Sequence, residues 1–224
     1  MITPERAAWR PMRFGHGRAA DIRDPLIEPL WDGIRVLAHV EGGAVTLVDG
    51  SGADLTDRFP DVVAALQDGV SAESAVLDGY LTTQATESGE GAKVVFVETP
   101  TPGQMVGQMF MGKSGERALG GSDAPKRRES SSDVVAFVAI DLLEVDGTEM
   151  LDVPLLERRR ILESVLVEGE QVRRGIFVRP PASSYLISWP SLGFTEMTYK
   201  AQNGRYRPGA TADDWTVARI PRRR

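Results

Sequence analysis

Two short runs rich in β-branched and apolar residues, 33–40 (GIRVLAHV) and 44–48 (AVTLV), stand on either side of Glu41-Gly42-Gly43. This pattern constrains the fold more than any other in the chain. Each run has strand length, and the paired glycines supply the positive φ angles that tight hairpin turns demand. The spacing predicts a β-hairpin. A second turn signal follows at Asp49-Gly50-Ser51-Gly52. Residues 57–67 then change period: Phe59, Val62, Val63 and Leu66 share one helical face, with Pro60 suited to the first turn.

Ser74–Thr83 reads as a strand, a bend at Asp78-Gly79 and a second strand segment, and residues 93–98 as a short strand. Residues 133–143 (DVVAFVAIDLL) are the most apolar run and predict a buried strand, closed by a turn at Asp146-Gly147. Residues 154–167 form an amphipathic helix that opens on Pro154 and turns Leu155, Leu156, Ile161, Leu162 and Val165 inward. Short strands follow at 175–178, 195–200 and 215–220. Strands and helices that do not alternate as βαβ units predict an α+β fold. A chain of 224 residues suits one large domain or two small ones. We divide it into an irregular leader (1–27), a domain (28–220) that carries a long Gly/Ser/Met-rich surface loop at 99–132, and a basic tail (221–224).

Composition removes several chemistries. With no cysteine, disulfides, thiolate metal sites and a cysteine nucleophile are excluded. His16 and His39 are too few for a histidine metal site and read as ordinary polar or half-buried residues. No run is long and apolar enough for a membrane span, and the N-terminus has no apolar signal core, so the expected location is cytoplasmic. The net charge of -6 argues against general attraction to nucleic acid. The basic runs Lys126–Arg128, Arg158–Arg160 and Arg222–Arg224 read as solvated faces or tails.

Five blocks in order carry a family resemblance. Glu28-Pro29-Leu30-Trp31-Asp32-Gly33-Ile34-Arg35 is similar to the E-P-K-W-D-G-x-R form of the K-x-D-G-x-R motif. Residues 54–60 (DLTDRFP) resemble D-L-T-x-x-F-P, and Val76–Tyr80 resembles L-D-G-E. Asp141-Leu142-Leu143, Asp146-Gly147 and Pro154–Arg159 resemble F-D-L-L…D-G…P-L-x-E-R-R. Tyr206–Gly209 with Asp214-Trp215 resembles Y-R-P-G…D-W. Together they span Glu28 to Arg219 and resemble the adenylation domain of ATP-dependent DNA ligases. The resemblance implies the covalent-nucleotidyltransferase fold: two antiparallel sheets, flanking helices and a nucleotide cleft between them. It implies ATP and Mg²⁺ as cofactors and nicked or end DNA as a partner. It also implies an OB-fold domain after the last motif, where this sequence ends.

The motif positions depart from the family where chemistry is done. The family's lysine attacks the ATP α-phosphate and carries AMP, which requires an amine with a lone pair. Here that position is Leu30, which leaves no catalytic residue there, and Lys93, Lys113, Lys126 and Lys200 are all remote in sequence. The ribose-binding glutamate is Tyr80, and the adenine-stacking aromatic is Ile140. The glutamate of E-G-V-V-A-K falls on Thr195, or on Glu196 with a one-residue slip. The last motif keeps Arg219 but loses its first lysine. Glu28, Arg35, Tyr80, Ile140, Lys200 and Arg219 thus form a vestigial nucleotide site with ATP and Mg²⁺ binding weakened or lost. Arg35, Lys200 and Arg219 can still hold an anion; alternatively Arg35 pairs with a carboxylate such as Glu28 or Asp32.

A second nucleotide motif is present letter for letter: Gly107-Gln108-Met109-Phe110-Met111-Gly112-Lys113-Ser114 matches G-x-x-x-x-G-K-[ST]. In a P-loop, Gly107 and Gly112 open the backbone to phosphate, Lys113 reaches the β/γ-phosphates and Ser114 binds Mg²⁺. Prolines stand before it and Gly115, Gly120 and Gly121 after it, where a strand and a helix are required. The alternative is an apolar, Met-rich loop suited to docking. We therefore expect a catalytically inactive, ligase-like binding or scaffolding module in DNA repair or recombination. It would contact a protein partner through the 99–132 loop or the basic tail. The alternatives are an active ligase, a nick-binding module and a non-covalent nucleotide sensor.

Overall fold

The structure is a computed structural model that describes residues 4–84 and 134–221. The strand expected at 93–98, the loop at 99–132 with its P-loop-like Gly107–Ser114, and the triple arginine at the end of the chain lie outside the described residues.

The expected hairpin is present. Strand β3 (Ile34–Glu41) turns at Gly42-Gly43, both at positive φ, into β4 (Ala44–Asp49). A 3-10 turn (Thr56–Arg58) leads into α2 (Pro60–Gly69), with Pro60 at its start. Strand β5 (Ser74–Thr82) is one strand rather than two segments; the bend appears as a register shift against β6 (Ala136–Val145) between Asp78 and Gly79. Gly79 is required there, because a Cβ would strike the Phe137 ring. A two-residue strand β7 (Thr148–Glu149) follows, then α3 (Leu155–Val165). The strand expected at 175–178 is instead β8 (Val172–Arg174), parallel to β6. Beyond it, Val178 makes only an isolated bridge to Ile27. Helix α4 (Ser183–Ser188), β9 (Glu196–Ala201), β10 (Thr211–Ala212) and β11 (Trp215–Arg219) complete the chain.

Before the hairpin lie α1 (Pro4–Ala7), β1 (Arg13–Phe14) and β2 (Pro25–Pro29). Residues 4–24 hold little regular structure, yet they are packed. Trp9 and Met12 are buried, and the Met12 N–H donates to the Tyr206 hydroxyl at 2.8 Å.

The larger sheet runs β4-β3-β5-β6-β7, with β8 added on β6, and the smaller runs β11-β9-β2; both are antiparallel apart from β8, and β1 and β10 form a separate parallel pair. Alternation divides the larger sheet into two faces. Val36, Ala38, Leu47 and Leu77 pack with Val62 and Leu66 of α2 and Leu162 and Val165 of α3. On the opposite face Leu37 and Val76 meet Leu26 and Trp215 of the smaller sheet. Each such Val or Leu stabilises the fold by about 1.5–3 kcal/mol on full burial. The two sheets thereby enclose the residues of the candidate site.

Candidate functional site

The site begins with the turn that carries Leu30. Strand β2 ends at Pro29, and the Leu30 N–H donates to the Glu196 carbonyl at 3.0 Å. Gly33 then adopts φ 151 so close to the Leu81 carbonyl that no side chain fits. This fixes Leu30 beside β9. Leu30 packs, partly buried, against the cluster formed by Trp31, Tyr80, Val138, Ile140, Phe194 and Met197. Trp31 meets Phe194 edge-on at 5.0 Å. Three predicted site positions, Leu30, Tyr80 and Ile140, therefore come together as hydrophobic packing. Ile140 is fully buried. Burial raises the Tyr80 phenol to about 12, Asp78 and Glu28 adding to the rise and Arg35 opposing it.

The polar positions come together beside this packing, with the Arg35 guanidinium against the Tyr80 ring. Glu28 on β2 and Lys200 on β9 are both buried, and Lys200 Nζ donates to Glu28 Oε2 at 2.6 Å. The ammonium also sits over the Trp215 ring at 4.3 Å, a cation–π contact. Burial lowers the Lys200 pKa, and the Glu28 carboxylate opposes that shift. Lys200 is the only lysine among the described residues.

Arg35 pairs neither with Glu28 nor with Asp32. It makes a bidentate pair with Asp78, Nε to Oδ1 at 2.9 Å and Nη2 to Oδ2 at 2.6 Å. Its guanidinium is ringed by Phe14, Tyr80 and Trp215 at 5.3, 5.8 and 5.5 Å. Burial alone would lower the Arg35 pKa; the charge and hydrogen bonds of Asp78, with Tyr80 and Tyr206 adding to them, together outweigh it and hold the value well above the ordinary one. Asp78 is also the acceptor for Tyr206, whose hydroxyl donates to Oδ2 at 2.7 Å. The register explains the pairing: Arg35 faces Tyr80 and Leu37 faces Asp78 across β3 and β5, so Arg35 and Asp78 are diagonal neighbours.

The run Arg158–Arg160 corrects the expectation of a solvated face. Arg158 and Arg159 are buried and only Arg160 is exposed. Arg158 pairs with Asp141 through Nε and Nη2, both at 2.8 Å, and Arg159 donates to the Ala139 and Gly175 carbonyls. Of the predicted cations among the described residues, Arg219 alone is exposed. It lies at the end of β11 opposite Glu196 and lines an open pocket with Thr195, Glu196, Phe194 and Gly193. Arg219 forms no ion pair among the described residues. The remaining predicted residues, Gly107, Gly112, Lys113 and Ser114, are outside the described residues. Sequence reasoning missed Phe14, Tyr206 and Trp215 as partners of the buried charges. Tyr206 and Trp215 stand within a retained family block, which was the signal for them; Phe14, in the leader, carried none.

An α+β molecule of two facing antiparallel sheets, with the Leu30 turn at their junction, is the nucleotidyltransferase fold of DNA ligase adenylation domains. Residues 18–179 match the ATP dependent DNA ligase domain, and the chain belongs to that family. "DNA ligase 2" of Methanosarcina acetivorans is 29% identical over 88% of this chain and 33% of its own length. The "Probable DNA ligase" of Streptomyces coelicolor is 28% identical over 84% and 34%. The chain thus spans about a third of the length of these relatives. Among solved structures, mycobacterial DNA ligase D complexed with ATP and MES superposes with a TM-score of 0.62 at 24% identity, covering 94% of this chain and 60% of that one.

Proposed function

We propose that this chain is a ligase-family domain without the covalent nucleotidyl-transfer step, acting as a binding or scaffolding module in DNA repair or recombination. The observation that carries the reading is Leu30 at the nucleophile position, packed into an apolar cluster. The neighbouring groups support it. A triphosphate needs free cations in a water-excluded site, but Lys200 is neutralised by Glu28 and Arg35 by Asp78. Tyr80 and Ile140 present neither a carboxylate to a ribose nor an aromatic face to a base at the position of the family's stacking residue. The donor set does not fit a covalently held nucleotide. Partners follow from the family and the basic runs: nicked or end DNA, or a protein contacting the 99–132 segment or the basic tail. No helix among the described residues is long and apolar enough to cross a membrane, and a cytoplasmic location accords with our reading.

The test is intact mass after incubation with ATP and Mg²⁺. The expected spectrum shows unmodified protein. A stable addition of one AMP would overturn the proposal, since another residue would then carry the nucleotide. One observation favours a second reading, that of residual anion binding: Arg219 remains exposed on a pocket beside Thr195. A thermal-shift series with ATP or inorganic pyrophosphate measures it, because ligand binding raises apparent stability.

A further inference from the structure

A second polar pocket lies at the far end of the larger sheet, at the tip of the β3–β4 hairpin. His39, Glu41, Thr46, Glu73 and Asp146 line it. His39 occupies the sheet face that carries Arg35 and Leu37, and its side chain is buried to 2% exposure. Neither of its ring nitrogens has a hydrogen-bond partner among the described residues. An imidazole left wholly unsatisfied in a protein interior calls for an explanation. The pocket's walls are fixed by cross-links. Asp146 Oδ1 accepts the N–H groups of Glu73 and Ser74 at 2.8 and 3.2 Å, and the Ser74 hydroxyl donates to Glu144 at 3.0 Å. The Gly42 N–H donates to the Glu73 carbonyl at 2.9 Å. Asp146 Oδ2 and the Glu73 carboxylate accept nothing among the described residues.

The chemistry of these groups selects the ligand. The Glu73 and Asp146 carboxylates and a neutral imidazole offer acceptors and negative charge. A neutral imidazole accepts at one nitrogen, and a carboxylate accepts only. The nearby cation Arg6 is already engaged with Glu144 and the Gly147 carbonyl, and Arg10 donates to the Ala7 and Trp9 carbonyls. No group of three or more His, Asp or Glu among the described residues is arranged to hold a metal ion. We infer that this pocket binds an organic cation rich in N–H donors, a guanidinium or alkylammonium group, which donates to His39 and bridges the Glu73 and Asp146 carboxylates. Burial, with Arg10 and Arg6 adding to it, lowers the His39 pKa to about 4, which keeps the ring neutral and able to accept at neutral pH. The inference is independent of the nucleotide site and of whether that site retains any activity.

The test is a titration followed by the ring resonances of the two histidines in the NMR spectrum of the full chain. The probes are N-acetyl-arginine amide and spermidine, with N-acetyl-leucine amide as the neutral control. The expected result is a saturable shift of the His39 resonances with a cationic probe, no shift of exposed His16, and weaker binding as salt rises. Glu73→Gln, an exposed substitution that leaves the melting temperature unchanged, weakens binding by about threefold, as loss of one charge partner should. Saturation by the arginine amide but not spermidine identifies a protein side chain as the ligand, and the reverse identifies a free polyamine. Absence of a saturable shift with both cations, an equal response to the leucine amide, or a dissociation constant untouched by Glu73→Gln overturns the inference.

Discussion

Asp78 holds more of the site together than any other residue. Its two oxygens, themselves fully buried, take the largely buried Arg35 guanidinium and the Tyr206 hydroxyl, and Tyr206 in turn accepts from Met12. Removing one partner of such a pair leaves a buried charge without its counter-ion, at a cost of about 3–5 kcal/mol. Asp78→Asn should therefore lower stability by about that amount in urea unfolding at pH 7. Arg35→Met combined with Asp78→Leu should recover much of the loss, because an apolar pair strands no charge. A single substitution within 1 kcal/mol of the parent, a limit well below that cost, would show that the pair is hydrated. His39 gives a residue-scale prediction in pH. Its pKa of about 4 in the fold lies below the ordinary 6.5, so the unfolded chain binds the extra proton between those values. Its contribution is complete above pH 6.5 and is lost as pH falls towards 4. Between pH 7 and pH 5 it removes about 2 kcal/mol of stability. His39→Leu should flatten that part of the curve, which urea titrations at the two pH values measure. A variant that keeps the parent's slope would assign the acid sensitivity to other groups.

Helix α3 shows what is legible at the scale of an element. Its span was readable from Pro154 and from apolar residues at helical spacing: observed Leu155–Val165 against expected 154–167. Its chemistry was not readable. Three consecutive arginines look solvated in a sequence, but 100° per residue turns Arg158 and Arg159 towards the sheet and Arg160 outward. Arg158 then meets Asp141 of β6, 17 residues earlier in sequence, in full burial. The hairpin, the Pro60 helix and the retained glycines were legible because each is a local backbone requirement. The fate of the site cations was not, since Lys200 meets Glu28 across 172 residues and Tyr206 meets Asp78 across 128. Arg158→Ala should cost about 3–5 kcal/mol. Arg160→Ala, whose exposed pair to Glu157 is worth at most about 0.5 kcal/mol, should be nearly silent. Thermal melts of both variants distinguish buried from solvated arginine on one helix. Equal losses would contradict the assignment of faces.

At the scale of the whole molecule, the two sheets are joined by contacts that fail together. Trp215 of the smaller sheet packs with Leu37 of the larger and lies over Lys200 and Arg35, while Tyr80 of the larger sheet packs in the cluster that contains Ile27 and Met197 of the smaller. Opening the junction would expose paired charges and apolar surface at once, so it is closed by more than shape. This bears on what one restored residue can do. Leu30→Lys returns an amine to the position from which the family's lysine attacks, but it returns neither the acidic residue at 80 nor the aromatic at 140. It also leaves Arg35 on Asp78 and Lys200 on Glu28. Nucleotide would have to displace two buried ion pairs before reaching the new amine, and breaking each costs several kcal/mol. The expected outcome is that Leu30→Lys with ATP and Mg²⁺ shows no AMP addition by intact mass, while folding with a modest loss in melting temperature from a partly buried ammonium. Adding Tyr80→Glu should not rescue the adduct, since it places a second carboxylate beside the Arg35–Asp78 pair. A robust adduct on Leu30→Lys alone would mean that the cleft admits nucleotide despite these pairs, and that the chain differs from an adenylating ligase domain by its nucleophile only.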